Sequence, residues 1–264
     1  FERKNYHQFG LVCTVSDVDT AWLKTVASKT DIRTIGIGLA AEYTENPIKH
    51  YTNPAKQKNK ILCTGNLNHS VVAEGVINFL RNTVPVLRCE YPELSVTIIG
   101  KNPIPELKRC MAEFEDSVSH LDFVDDYAGF LDQDWIYVYP QQCGSGLQTK
   151  VQQAMALGLP VVGFNVSFGG LEVVSGTHCY VSKDKDEMAR NILTLLGSAE
   201  LRNKIGAAAS NNVRDRFSVN RTGEEMLSLY KEVVSKNTRQ LKRIGPIDAA
   251  MSPICRHSKR TILL

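Results

Sequence analysis

The chain has 264 residues, of which 43% are hydrophobic and 22% charged, and its mean hydropathy is -0.18. These averages exclude a disordered chain, a collagen and a coiled coil for most of the sequence, and the length suits one domain with appendages. A net charge of +3 is too small to indicate a nucleic-acid or membrane partner by itself, so we expect no nucleic-acid function.

Cysteine usage and hydropathy indicate the compartment. The seven cysteines are scattered without a CxxC pair, which indicates neither a disulfide framework nor a zinc site. No window reaches the roughly 18 to 20 apolar residues of a membrane span, and the N-terminal segment lacks the apolar core of a signal peptide. We therefore expect a soluble, cytoplasmic protein. The chain begins at Phe1 rather than Met, which favours a fragment or a processed product.

The first 57 residues differ from those that follow. They predict a helix, one strand at Leu11 to Val15, a second helix over residues 16–27 with Ser16 as its N-cap, and a polar connector over residues 42–60. We interpret residues 1–57 as the end of an earlier domain followed by a linker.

From residue 58 to about residue 235, short β-branched runs alternate with longer amphipathic stretches. The predicted strands lie at residues 60–64, 94–99, 121–124, 135–139, 159–164 and 179–181. The predicted helices lie at residues 71–87, where Pro85 bends or ends the helix, and at 104–114, 149–157, 185–196, 199–216 and 222–235. This alternation predicts an α/β fold, a doubly wound, Rossmann-like parallel sheet whose ligands collect at the carboxyl ends of the strands. Residues 236–264 form a basic, irregular tail.

A glycine-rich turn follows the strand that ends at Pro140. Gly144, Ser145 and Gly146 precede a helix, and free backbone N–H groups together with the positive end of a helix dipole suit a phosphate. Lys150 lies one turn inside that helix and adds a positive charge, and Gln153 shares its face. Taken alone, such a turn is also an ordinary loop, and Lys150 is also a solvated residue or an ion-pair partner.

The longer run G-S-G-L-Q-T-K-V-Q-Q-A-M-A-L-G-L-P-V-V resembles the signature of glycosyltransferase family 4, the glycosyl transferases group 1. Further segments agree in order, namely Thr64-Gly65-Asn66, Lys101-Asn102-Pro103, residues 121–126, residues 168–171 and Phe217-Ser218. The resemblance covers about residues 58–235 and implies the donor-binding, C-terminal half of a GT-B fold, while residues 1–19 and 35–38 resemble the end of the acceptor-binding domain. It implies sugar transfer from a nucleotide sugar such as a UDP- or GDP-sugar to a glycan or lipid-linked acceptor. Transfer would occur with retention and without a metal or another cofactor.

The same resemblance assigns roles at the site. Main-chain groups of Gly144, Ser145 and Gly146 would meet the diphosphate and sugar, Gly65 and Asn66 would approach the phosphates, Phe123 and Val124 would meet the base, and Gln153 would bind the ribose. Phe123 and Val124 also fit ordinary core positions. No catalytic residue is assigned.

The chain departs from the family at two positions. The family has two glutamates eight positions apart, where this sequence has Ser145 and Gln153. The amide oxygen of Gln153 still accepts hydrogen bonds, but without charge assistance these bonds are roughly half as strong. Donor choice and catalytic competence both depend on these two positions.

Several alternatives stay open. The first is a non-catalytic nucleotide-sugar-binding module, and the second is a nucleotide-sugar epimerase of GT-B fold. A dinucleotide-dependent oxidoreductase is the weakest, because no G-x-G-x-x-G follows the first strand. The basic tail suits peripheral attraction to an anionic membrane, although a solvated tail is the alternative. Its cations are Arg239, Lys242, Arg243, Arg256, Lys259 and Arg260.

Overall fold

The computed structural model describes residues 5–45, 59–131, 135–144 and 146–243, and these residues contain two parallel sheets. The smaller sheet pairs β1 (Leu11–Thr14) with β2 (Asp31–Thr34), and the connection between them contains α1 (Asp17–Val26). A 3-10 turn (Tyr6–Gln8) precedes β1 where a helix was expected, and α2 (Ala41–Thr44) follows β2. The N-cap of α1 is confirmed, because Ser16 Oγ accepts a hydrogen bond from the Asp19 backbone N–H at 3.1 Å.

The second strand of the small sheet was not predicted. Of its four residues only Ile32 is buried, so the apolar run that identifies a strand in sequence is missing. Instead, β2 is held in place by parallel pairing with β1, from Leu11 opposite Asp31 to Thr14 opposite Thr34.

The larger sheet has six strands in the order β5-β4-β3-β6-β7-β8, all parallel. Its strands are β3 (Lys60–Thr64), β4 (Ser95–Ile99), β5 (Val118–Leu121), β6 (Ile136–Tyr139), β7 (Val161–Phe164) and β8 (Tyr180–Ser182). Its helices are α3 (Ser70–Asn78), α4 (Val84–Glu90), α5 (Pro105–Ala112), α6 (Tyr127–Leu131), α7 (Thr149–Ala156), α8 (Lys185–Leu196), α9 (Ala199–Phe217) and α10 (Val219–Arg243). The predicted doubly wound α/β architecture is confirmed.

Apolar packing covers both faces of this sheet. One cluster contains Ile61 and Ile98, and the cluster on the opposite face contains Leu62 and Tyr137. Every residue of β6 and β7 is buried, as expected for parallel strands with helices on both sides.

The helix predicted at residues 71–87 does not end at Pro85. A π-helical turn (Phe79–Thr83) joins α3 to α4, and the Val84 N–H donates to the Phe79 carbonyl five residues back. Proline lacks an N–H and its ring crowds the preceding turn, so a wider turn directly before Pro85 lets the helix continue to Glu90.

The strand predicted at Leu121 to Val124 lies earlier in the chain, and this prediction was wrong. Strand β5 pairs with β4 from Val96–Val118 to Ile99–Leu121. Because β4 ends at Ile99, a strand continuing past Leu121 would have no partner. Phe123 and Val124 therefore lie in the loop after β5.

The C-terminal helix is longer than predicted. α10 extends to Arg243, so the first part of the predicted irregular tail is helical, and residues 244–264 lie outside the described residues. α10 reaches the small sheet, where Arg33 forms an ion pair with Glu232 at 2.7 Å. The boundaries proposed at residues 57 and 235 stay predictions.

Candidate functional site

Strands β3 and β6 lie side by side, but their crossovers run in opposite directions. From β3 the chain crosses to β4, and from β6 it crosses to β7 on the other side. Such a switch point leaves a crevice outside the carboxyl ends of the two strands, where open α/β sheets bind ligands.

A cavity of about 410 Å³ lies at this switch point, and we call it the switch-point cavity. Its lining residues come from the loop after β3 and the start of α3, and from the end of β6, the loop that follows it and the start of α7: Gly65, Asn66, His69, Val71, Val72, Tyr139, Gln141, Cys143, Gly144, Leu147, Gln148, Thr149 and Lys150. Four of the residues selected from sequence, Gly65, Asn66, Gly144 and Lys150, therefore meet in one place.

The loop between β6 and α7 depends on glycine. Gly144 and Gly146 have φ values of +149° and +73°, which other residues adopt only with strain. Gly146 lines a second cavity rather than the switch-point cavity, and Gly144 lines both. Ser145, also assigned to this turn, lies outside the described residues.

Among the described residues, no side chain is seen to cap the first turn of α7. Gln148 occupies the N-cap position, but its Oε1 accepts a hydrogen bond from the Tyr139 hydroxyl at 2.8 Å instead of from the helix amides. The backbone N–H groups at the start of an α-helix have no partner inside the helix. This end of α7, together with the positive pole of its dipole, faces the switch-point cavity.

Lys150 supplies the positive charge of this cavity. It is the only lysine or arginine among the described lining residues, and none of the described lining residues is an aspartate or glutamate. Its Nζ lies 4.0 Å from the centroid of the Tyr127 ring. Within the described part of the chain it forms no ion pair. Desolvation lowers the pKa of Lys150 from its ordinary value.

Sequence reasoning missed Tyr127, which lies at the start of α6. Its hydroxyl lies 3.0 Å from Thr64 Oγ1, which in turn lies 2.6 Å from the Tyr137 hydroxyl. Burial raises the pKa of Tyr127 and of Tyr137, so both hydroxyls stay neutral at physiological pH. The sequence offered one indication of Tyr127, namely its position directly after residues 121–126, a segment that resembles the family.

The three other residues selected from sequence lie outside the lining of both cavities. Phe123 is 61% exposed, with Lys101 Nζ 4.5 Å from its ring centroid, so it is not a core residue. Val124 is half-buried and packs against the core. Gln153 is half-buried, and its Oε1 is enclosed without a hydrogen-bond partner in the described structure.

The second cavity is a groove of about 1220 Å³ that adjoins the first. Its lining includes Gly75 and Asn78 of α3 and Lys185 at the start of α8. The N-cap residue Ser16, Val18 of α1 and Lys183 also line it. The N-terminus of α8 is already capped there, because Asp184 Oδ1 accepts from the Glu187 N–H at 2.8 Å.

The described residues contain no group of three or more His, Cys, Asp or Glu side chains placed to hold a metal ion, and their cysteines are free. No helix within the same ranges combines the length and the apolar character needed to cross a bilayer.

Comparison with known protein families shows the family of this chain. Residues 58–198 match the family described as Glycosyl transferases group 1. The chain belongs to that family. The match contains the residues that line the switch-point cavity, from Gly65 to Lys150, and it confirms the expected resemblance to the glycosyl transferases group 1.

Two curated proteins are similar to this chain in sequence. An uncharacterized glycosyltransferase of Haemophilus influenzae is 30% identical over 154 residues, which are 56% of this chain and 42% of the relative. Spore coat protein SA of Bacillus subtilis is 26% identical over 170 residues, covering 59% and 45%. The chain thus spans less than half the length of these curated relatives.

A solved structure shows the same fold. TarM from S. aureus, solved in complex with UDP among other ligands, superposes with a TM-score of 0.74 at 16% identity, covering 86% of this chain and 45% of TarM. At this identity the likeness concerns the fold alone, and it confirms the fold class of GT-B glycosyltransferases.

Proposed function

We propose that this chain provides the donor-binding half of a family 4 glycosyltransferase and that the switch-point cavity receives the diphosphate of a UDP- or GDP-sugar. The observation that carries the proposal is the conjunction of uncapped α7 amides with an ammonium group, that of Lys150, which has no carboxylate partner in the described structure. Both features suit an anion, and both lie where α/β sheets bind nucleotides.

The chemistry follows from charge development. A nucleoside diphosphate gains negative charge as its bond to the sugar breaks, and fixed N–H donors with a nearby cation stabilise that charge. The α7 amides and Lys150 would perform this role. Retention of configuration and independence of metal come from the family resemblance.

The remaining contacts of the donor are assigned by the same resemblance. The exposed ring of Phe123, in the loop after β5, offers a surface for the base. The enclosed Oε1 of Gln153 has no hydrogen-bond partner in the described structure, and a ribose hydroxyl would supply one. Gln153 lies in α7 and lines neither cavity. Its side chain, or the loop before α7, has to move for that contact.

A non-catalytic nucleotide-sugar-binding module is the second candidate. It is favoured by Ser145 and Gln153 at the two positions where the family has glutamates. The glycan or lipid-linked acceptor and a peripheral membrane location remain predictions. Most of the basic tail lies outside the described residues.

The test measures nucleotide affinity by calorimetry on the full chain with UDP, GDP, uridine, guanosine and NAD. We expect a nucleoside diphosphate to bind and NAD not to bind. Lys150→Met should weaken diphosphate binding about 10-fold or more, since hydrogen bonds to charged groups contribute about 1.5 to 3 kcal/mol, while nucleoside binding stays unchanged.

Lys204→Met, an exposed lysine of α9 away from both cavities, is the matched control and should bind as the wild type does. Equal affinity of wild type and Lys150→Met for both diphosphates would contradict the assignment. Sugar transfer after addition of a complete acceptor-binding domain separates the enzyme from the binding module.

A further inference from the structure

Lys150 is attached to the protein by a flexible side chain, so something must fix its ammonium group if it is to serve a diphosphate efficiently. A lysine side chain loses much of its rotamer freedom when it is fixed. No carboxylate pairs with it in the described part of the chain. The group that it contacts is the face of the Tyr127 ring, 4.0 Å from the ammonium nitrogen. A cation at that distance is attracted by the ring quadrupole.

The ring itself is held from behind. The Tyr127 hydroxyl contacts Thr64 Oγ1 at 3.0 Å, and Thr64 contacts the Tyr137 hydroxyl at 2.6 Å. Thr64 is the last residue of β3 and is 6% exposed, and Tyr137 lies within β6 and is fully buried. The chain of hydroxyls therefore ties the ring to the two strands whose loops form the switch-point cavity.

The backbone that carries the ring is fixed as well. Asp126 Oδ1 accepts a hydrogen bond from the Gly129 N–H at 2.8 Å across the first turn of α6. Beyond Tyr127, Ala128 and Leu131 of α6 are buried in the core. The ring thus has little freedom, and the lysine that contacts it is restricted in turn.

We propose that Tyr127 is a positioning residue that holds the Lys150 ammonium group over the switch-point cavity, ready for the phosphates of a nucleoside diphosphate. The inference rests on the proposed function for the identity of the ligand. Tyr127 does not touch the nucleotide in this arrangement. It acts through the lysine, and its hydroxyl acts through Thr64.

The first measurement needs no ligand. A methylene group held over an aromatic ring has its proton resonances shifted upfield, so the ε-methylene signal of Lys150 should be shifted in the free full-length chain and should return to the ordinary lysine position in Tyr127→Leu. Tyr127→Phe, which keeps the ring and its packing, should retain most of the shift. An ordinary Lys150 signal in the wild type would overturn the proposal.

The second measurement is affinity for UDP and uridine by calorimetry. We expect Tyr127→Leu to weaken UDP binding about 2- to 5-fold, in keeping with a cation–π contact of an exposed lysine, and Tyr127→Phe to weaken it less. Uridine affinity should not change, because the effect passes through the phosphates. Tyr180→Leu, a half-buried tyrosine of β8, serves as the control for general loosening of the sheet.

A double-mutant cycle separates positioning from simple structural damage. In the Lys150→Met background, Tyr127→Leu should cause no further loss of UDP affinity, because the residue through which it acts is gone. Additive losses, or a parallel loss of uridine affinity, would overturn the positioning role. If wild-type protein bound no nucleoside diphosphate, the proposed function would fail, whereas normal UDP binding by Tyr127→Leu would reject only the role of Tyr127.

Discussion

The two sheets of this molecule are ordered by different forces. In the six-stranded sheet, Ile61, Leu62 and Ile98 are completely buried, and apolar clusters cover both faces. In the two-stranded sheet, Ile32 is the buried strand residue, and large side chains of the same unit, such as Trp22 at 53%, are exposed. The large sheet is stabilised chiefly by its own burial, whereas the small one depends on polar contacts and on neighbouring elements.

Those polar contacts are specific. Hydroxyl groups link Thr14 to Thr20 and Thr20 to Thr34, which donates to Asp17. The small sheet is further joined to α10 by Arg33 and Glu232. Leu39 and Tyr43 belong to the apolar cluster of the large sheet, so we expect residues 5–34 to open locally without unfolding that sheet.

The largest test compares one change in both sheets. Ile61→Ala should lower the free energy of unfolding by about 4 kcal/mol, because it leaves a cavity between closely packed helices and strands. Ile32→Ala should cost about 2 kcal/mol, the low end of the range, because the open small sheet can relax around it. Urea unfolding measures both values, and hydrogen exchange should show that Ile32→Ala exposes only β1 and β2. Equal costs with global loss of protection would contradict the comparison.

A second test concerns close packing beneath the large sheet. A Cβ atom added at Gly206 in α9 would overlap the Gly158 carbonyl oxygen, so Gly206→Ala should destabilise by about 3 kcal/mol. Gly223 of α10 has no atom near its added Cβ, and Gly223→Ala should stabilise by up to about 1 kcal/mol. Glycine-to-alanine substitution should therefore lower the free energy of unfolding at Gly206 and raise it at Gly223, as measured by urea unfolding. A neutral Gly206→Ala would show that α9 can move away from the end of α7.

A third test uses matched helix caps. Ser16 caps α1 through the Asp19 N–H, and Ser198 caps α9 through the Leu201 N–H, both at 3.1 Å. Replacing either by alanine should cost about 1 kcal/mol. Ser198→Ala should lower global stability, whereas Ser16→Ala should raise hydrogen exchange in α1 alone. Global destabilisation by Ser16→Ala would show that the two units unfold together.

The smallest effect is that of pH on the contact between the small sheet and α10. Hydrogen bonds from Arg33 and then Lys236 lower the pKa of Glu232 from 4.5 to about 2. A lowered carboxyl pKa means that the contact stabilises fully above pH 4.5 and is lost as pH falls through about 2. The stability difference between wild type and Glu232→Gln should be present at pH 7 and vanish near pH 2. Since the pair is exposed, salt should reduce it at pH 7, and a difference independent of pH would contradict the mechanism.

The sequence predicted the large sheet far better than the small one. The buried strands of the large sheet show as apolar runs in the sequence, whereas the strands of the small sheet are mostly not buried. Both bounds of Lys185–Leu196 were predicted correctly, because Asp184 caps a helix with clear apolar spacing. The prediction failed where the pairing of strands sets the end of a strand. β5 ends at Leu121 because its neighbour β4 ends at Ile99. In the site, the glycines and Lys150 were visible in one continuous motif, whereas Tyr127 meets Lys150 only through the tertiary fold.

The position of the switch point also has a consequence for biosynthesis. β3 and β6 are neighbours in space, yet the cavity between them needs loop residues 65–72 and also residues 139–150. A nascent chain that has left the ribosome only as far as β5 has half of the cavity wall and an unpaired edge on β3. Such non-local pairing is slow to form, so the switch-point cavity would be among the last features that the growing polypeptide acquires.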